Sequence, residues 1–306
     1  MKLVKSALSA SILAAAAQTA AAIEITPYAG IQVEYHFDDQ GGRDGEGGLD
    51  GDGGIDDSYS RIGVKASEEF EGFAVNYKFE TGIDATGEGD NKILDDGTVR
   101  VNRIQITSDL GTFAYGLDWT PFYNAITWGV GSDRFLGYYS GFQAEFITRT
   151  SDTFFYTSPD LNGLQISASY GLDSASDYDG STAKDDRQVA VTYTVNDNLT
   201  LAAATTNGVD ATHDRTGYGM RYTKDAITAT LSTQETDDGS EWINAYASYA
   251  LNDADTVSAH ISDTNSTNPF TLGYSHKYDD SLTVFAEYYD NDAGGEYPQV
   301  GIHYNF

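Results

Sequence analysis

No cysteine occurs among the 306 residues. Disulfides therefore cannot hold the chain together, and a secreted form must rely on a core, a sheet or a lipid environment. Beyond the first residues no apolar run reaches the roughly 18 to 20 residues that a membrane helix requires, which argues against a helical membrane protein. Positive charge is scarce too: 17 Lys and Arg stand against 47 Asp and Glu, a formal charge of −30. Such a chain is a poor partner for nucleic acid or an anionic membrane surface. Proline is held to 5 residues, whereas glycine reaches 32 and tyrosine 22. Tyrosine suits a membrane interface, with its ring in the apolar zone and its hydroxyl among headgroups. A soluble, secreted β-protein rich in Tyr and Gly is the competing reading. Mean hydropathy does not separate the two, because a barrel wall alternates lipid-facing and water-facing residues and averages out.

The amino terminus fixes the compartment. Lys2 and Lys5 precede an alanine-rich apolar run from Ala7 to Ala17, and small residues follow through Ala22. This is the pattern of a secretory signal peptide, with an A-x-A site at Ala20 to Ala22. Cleavage there leaves 23–306 as the mature chain and, without the two lysines, a charge of −32.

Period-two alternation runs through the whole mature sequence, and no helical period competes with it. The clearest sets are Val189, Val191, Tyr193, Val195; Ile227, Ala229, Leu231; Val257, Ala259, Ile261; and Val300, Ile302, Tyr304, Phe306. Short turns rich in Asn, Asp and Gly, such as 160–163, 196–198, 224–225, 252–254 and 279–281, alternate with longer polar loops at 38–57, 85–97, 120–151 and 174–185. Short turns on one rim and long loops on the other are the mark of an outer-membrane barrel. The alternation predicts strands at 26–36, 59–67, 73–83, 99–108, 112–119, 152–158, 164–172, 187–195, 199–206, 216–224, 226–236, 241–251, 255–263, 269–278, 282–290 and 299–306. That makes sixteen, with fourteen as the alternative count, in an all-β, antiparallel, up-and-down transmembrane barrel.

Local sequences then resemble the Gram-negative general porin family. Ser60 to Glu69 is similar to that family's second strand and first periplasmic turn, and Phe79-Glu80-Thr81-Gly82 to the end of its third strand. Asp109 to Thr112 and Thr120-Pro121-Phe122 bracket the strand leading to the third loop, and Tyr156 to Pro159 with Gly163 to Tyr170 resembles the pair beyond it. The resemblance implies a sixteen-stranded homotrimer in the outer membrane, facing lipid and lipopolysaccharide. It also implies a third loop folded into the lumen and a terminal Phe306 read by the barrel assembly machinery. Sixteen strands leave a lumen too wide for side chains to fill. The expected function is therefore passive diffusion of small hydrophilic solutes, with no cofactor, metal or enzymatic chemistry.

Parity assigns the lumen. If Ile62, Val64 and Ala66 face lipid, Arg61, Gly63 and Lys65 face inward, and on the next strand so do Asn76, Lys78 and Glu80. The reverse would put charge in lipid, at roughly 2 to 4 kcal/mol each at mid-depth. Arg221 points inward by the same rule. Arg100 and Arg103 have opposite parity, so the sequence leaves open which one lines the channel. In the resembled family, wall cations face carboxylates of the third loop across the pore. Here the wall set is Arg61, Lys65 and one of Arg100 and Arg103, and the loop set is Asp133 ahead of Glu145. Leu117 and Phe155 stand where basic residues are expected, which, with the −32 charge, predicts a cation preference.

Other readings remain. Arg61 and Lys65 could be ordinary solvated lumen charges. Phe135, Tyr138, Tyr139 and Phe142 could pack the third loop or form a sugar track, making the channel substrate-selective. An adhesin or phage receptor is a further class. The Asp and Gly run at 38–57 satisfies no calcium-loop spacing, and the five histidines have no metal-ligand spacing, lumen water sufficing for His260 and His303. No G-x-S-x-G or H-E-x-x-H motif occurs.

Overall fold

Alternating apolar and polar residues can satisfy two solvents at once only in a sheet, and a sheet in lipid must close so that no backbone group is left unpaired. The computed structural model describes residues 23–37, 54–57, 60–86, 99–129, 148–176, 183–209, 213–264, 266–292 and 295–306. Within them lie β1 (Glu24–His36), β2 (Gly54–Asp57), β3 (Arg61–Phe70), β4 (Phe73–Gly82), β5 (Val99–Ser108), β6 (Gly111–Trp119), β7 (Arg149–Thr157), β8 (Leu164–Gly171) and β9 (Arg187–Asn196). These continue as β10 (Leu199–Asn207), β11 (Arg215–Lys224), β12 (Ile227–Thr236), β13 (Glu241–Ala250), β14 (Asp255–Thr264), β15 (Phe270–Lys277), β16 (Leu282–Asp290) and β17 (Glu296–Asn305).

Every strand from β3 to β17 pairs antiparallel with the next, and β1 closes the ring. Its first half, Glu24–Gly30, pairs with β3, and its second half, Gly30–His36, with β17. β2 pairs with β1 on the same edge as β3, Gly54 opposite His36 and Asp57 opposite Val33. β2 and β3 are therefore two pieces of one stave, and seventeen strand segments make a sixteen-stranded closed barrel. Sixteen was the sequence expectation. The difference lies in the loop expected at 38–57, whose last four residues extend the second stave. The expected signal segment, 1–22, is outside the described residues.

The outward set is apolar and exposed: Tyr218, Ile261, Leu272, Val300, Ile302 and Tyr304 all point away from the barrel. Inward positions are polar, as with Gln188, Gln234, His260, Thr271 and Gln299. Lumen water was expected to suffice for His260, yet His260 is only 2 % exposed, as is Gln299 on the same polar face. They pack among polar neighbours, and the Gln299 amide donates to Glu287 Oε2 at 2.9 Å.

The short turns are closed by side chains that stand in for missing backbone partners. The N–H groups of Ser281 and Leu282 donate to Asp279 Oδ1 at 2.8 and 2.9 Å, and those of Ala254 and Asp255 to Asn252 Oδ1 at 2.8 and 2.9 Å. These are the Asx-type contacts that favour Asp and Asn in turns. The two N–H donors hold the exposed Asp279 carboxyl below its ordinary pKa.

Candidate functional site

The densest charge on the inner face lies on β1 and β3–β6. Direct cross-strand pairing sets Lys65 opposite Lys78 and Lys78 opposite Arg103. Three cations thus stand in a row on adjacent strands, an arrangement that costs on the order of 0.2–1 kcal/mol per like pair unless something offsets it. Two carboxylates do so. Lys78 Nζ lies 3.2 Å from Glu80 Oε2, and Arg103 pairs with Asp118 on β6. Lys65 is held differently: its ammonium sits 5.1 Å from the centre of the Tyr28 ring, a cation–π contact of about 0.5–1 kcal/mol.

Glu80 is the hub. Tyr28 Oη donates to its Oε2 at 2.8 Å, Arg100 Nε to its Oε1 at 3.0 Å, and Arg61 Nε stands 4.0 Å away. The Glu80 side chain is 7 % exposed, whereas Arg61, Lys78 and Arg103 keep 26 %, 26 % and 30 %. The carboxylate is thus sunk into the wall, with cations around it that remain open to the lumen. Gly63 permits this, because a Cβ there would overlap the Tyr28 ring.

The choice between Arg100 and Arg103 dissolves in a β-bulge. The pairing of β4 with β5 runs Lys78 to Arg103 and Glu80 to Val101, and then Thr81 to Val99. Arg100 is the extra residue, and one extra residue resets parity. Both arginines consequently reach the inner face. The same register corrects the reading of Leu117. It pairs with Asn102, which accepts a hydrogen bond from the outward Tyr77 hydroxyl at 3.0 Å. Leu117 therefore faces outward and replaces no wall cation. Its neighbour Asp118, which the sequence reading passed over, is the inward residue. Phe155, opposite the buried Ala114, does face inward.

Tyr28 was passed over as well, although the polar parity of β1 (Thr26, Tyr28, Gln32, Glu34, His36) marks it. Trp119 and Arg149 complete the group at the end of β6 and start of β7. The guanidinium carbons of Arg100 and Arg149 lie 5.6 and 4.8 Å from the Trp119 ring centre, and Tyr123 stacks on that ring at 4.4 Å.

Tyr123 opens a π-helical segment, Tyr123–Gly129, that begins the third loop. Thr120 N donates to Thr148 O at 2.8 Å, closing the loop's neck. Past the neck, Phe122 and Ile126, both fully buried, pack on Ala190, Ala202 and Ala204 of β9 and β10. Asp133 and Glu145, with Phe135, Tyr138, Tyr139 and Phe142, lie outside the described residues.

The Gram-negative porin family matches residues 7–296, and the chain belongs to that family. Among solved structures it resembles the anion-selective porin from Comamonas acidovorans at 16 % identity, with a TM-score of 0.70, over 93 % of this chain and 100 % of that one. A mutant Rh. blastica porin gives 20 % identity and a TM-score of 0.71 over 93 % and 100 %, and Salmonella typhi OmpF, solved with daunomycin, 16 % and 0.70 over 92 % and 97 %. No curated protein matches. The chain is an outer-membrane channel and no enzyme. Porins of this family are generally trimers that pass small solutes.

Proposed function

We propose that this porin is a homotrimeric, water-filled diffusion channel for small hydrophilic solutes with a preference for cations. The observation that carries the channel chemistry is the Glu80 hub: five cations, Arg61, Lys65, Lys78, Arg100 and Arg103, are spread over neighbouring strands, with Glu80 beside Arg61, Lys78 and Arg100 and with Asp118 beside Arg103. In this reading the third loop narrows the lumen, and Asp133 and Glu145 oppose that wall, giving a transverse field that orders water and polar solutes. Cation preference comes from elsewhere. The long connections are acidic: 38–53 holds Asp38, Asp39, Asp44, Glu46, Asp50 and Asp52 against Arg43 alone, and 83–98 holds five acidic residues against Lys92. Acidic mouths concentrate cations before they meet the basic wall. Phe306 serves as the mark for the assembly machinery, and lipopolysaccharide surrounds the exposed apolar band.

The test is the reversal potential of purified trimers in a planar bilayer under a KCl gradient. A cation-selective sign is expected. An anion-selective sign would put the Glu80 wall, and not the mouth, in control, and absence of conductance from folded trimers would remove the channel reading.

A further inference from the structure

Three to five strands on from β6, a patch of the inner face of β9–β11 is built from small residues: Ala190, Ala202 and Ala204, with Gly217 on β11 directly opposite Ala204. That surface is occupied by the first turn of the third loop. A Cβ on Gly217 would come within 2.8 Å of Phe122 Cζ and 3.2 Å of Ile126 Cγ1 and Cγ2, closer than packed atoms approach. One polar contact fixes the same segment. Phe122 N donates to Gln188 Oε1 at 3.1 Å, and the Gln188 amide nitrogen donates to Asp186 Oδ2 at 2.8 Å. A carboxylate only accepts, so the Asp186 contact turns the Gln188 amide and leaves its oxygen for Phe122. Gln188 and Phe122 are fully buried.

We infer that Gln188 and Gly217 are positioning residues for the third loop: they moor its base three to five strands from where it leaves β6, and so set the width of the channel. The inference rests on the diffusion-channel reading. Neither residue carries charge, and neither is among the wall cations. Between them they specify a location by shape and by one oriented acceptor. The Thr120–Thr148 bond holds both loop ends together at β6 and β7, and the mooring at Phe122 to Ile126 adds a second fixed point on another part of the wall.

The experiment uses full-length trimers with Ala125→Cys, the sole cysteine in a chain that has none. Ala125 is 3 % exposed in the moored segment. In this background a thiol-reactive methanethiosulfonate is expected to label slowly. Adding Gly217→Val is expected to bring rapid labelling and a loss of single-channel conductance, as the base is pushed off the wall towards the axis. Phe122→Ala combined with Gly217→Val makes room for the new side chain and is expected to restore protection and conductance, which a general loss of stability would not allow. Folded Gly217→Val trimers that stay protected and conduct like the parent would overturn the mooring. Labelling reports on the loop even where no current flows, so failure of the channel reading and failure of the mooring give different results.

Discussion

The barrel has two inner walls of opposite character. On β3–β6 the inward residues are long, charged and partly open to the lumen. On β9–β11 a patch of alanine and glycine, Ala190, Ala202, Ala204 and Gly217, is covered by Phe122 and Ile126, with the buried Gln188 and Arg215 two residues before Ala190 and Gly217. The outward residues of both regions are alike, apolar and exposed, as Ile62, Tyr77, Val189 and Leu201 show. Strand chemistry is thus common to the whole ring, and function is divided by which inward residues are left free and which receive the loop. Long cations need water to offset their desolvation, and small residues are needed where another segment must lie close.

The contrast is broken most directly by a charge on the covered wall. Ala202→Arg buries a guanidinium without a partner, a penalty of several kcal/mol, and the loop base is expected to leave the wall, changing the conductance of folded trimers. Gln105→Arg, on the open wall, is expected to leave conductance close to the parent's and only weaken cation preference. Equal behaviour of the two variants in a planar bilayer would erase the distinction.

Glu80→Gln sharpens the contrast from the other side. Removing the hub's charge leaves Arg61, Lys78 and Arg100 without their shared counter-charge. A unit charge at 4 Å in water is worth about 1 kcal/mol, so the cation-to-anion permeability ratio is expected to fall by up to about fivefold. Reversal potentials measure it. Tyr28→Phe deletes one bond to the same carboxylate and is read in stability, as a loss of about 1.5–3 kcal/mol in urea unfolding. Gly63→Ala is expected to act in the same direction by displacing the same ring.

The smallest effect belongs to the turns. Asp279 has a lowered pKa in the fold, so its stabilisation is present above the ordinary carboxylate range and is lost as pH falls through the folded value. Asp279→Ala is therefore expected to lower the thermal midpoint slightly at neutral pH and not at all in strong acid. A midpoint shift that persists in acid would mean that the side chain acts by something other than its charge.

Most of the fold was legible because alternation is a two-state signal repeated over every strand, and each turn carried its own Asp, Asn or Gly. Parity placed Arg61, Lys65, Lys78 and Glu80 on one face by the same logic. That logic fails wherever a residue is added. Arg100 could not be resolved because a bulge shifts the count by one, and Leu117 was taken for a wall position when the inward residue is its neighbour Asp118. The covered wall was illegible for a different reason. Alanine occurs on both faces of β10, at 202, 203 and 204, so nothing in the pattern at 190, 202, 204 or 217 distinguishes a seat for the loop from a bare stretch of sheet. Tyr28 was missed because only formal charges were followed, although a hydroxyl on the polar parity of β1 was available.

The bulge at Arg100 has a consequence for how such a wall can be edited. Pairing on either side of it is in ordinary register, Glu80 with Val101 below and Thr81 with Val99 above. Deleting residue 100 would let Val101 follow Val99 directly, with every other pairing between the two strands unchanged. One cation is therefore carried as a detachable unit, added or removed by a single codon without exchanging any other residue, and the charge of the wall can change by insertion and deletion as readily as by substitution.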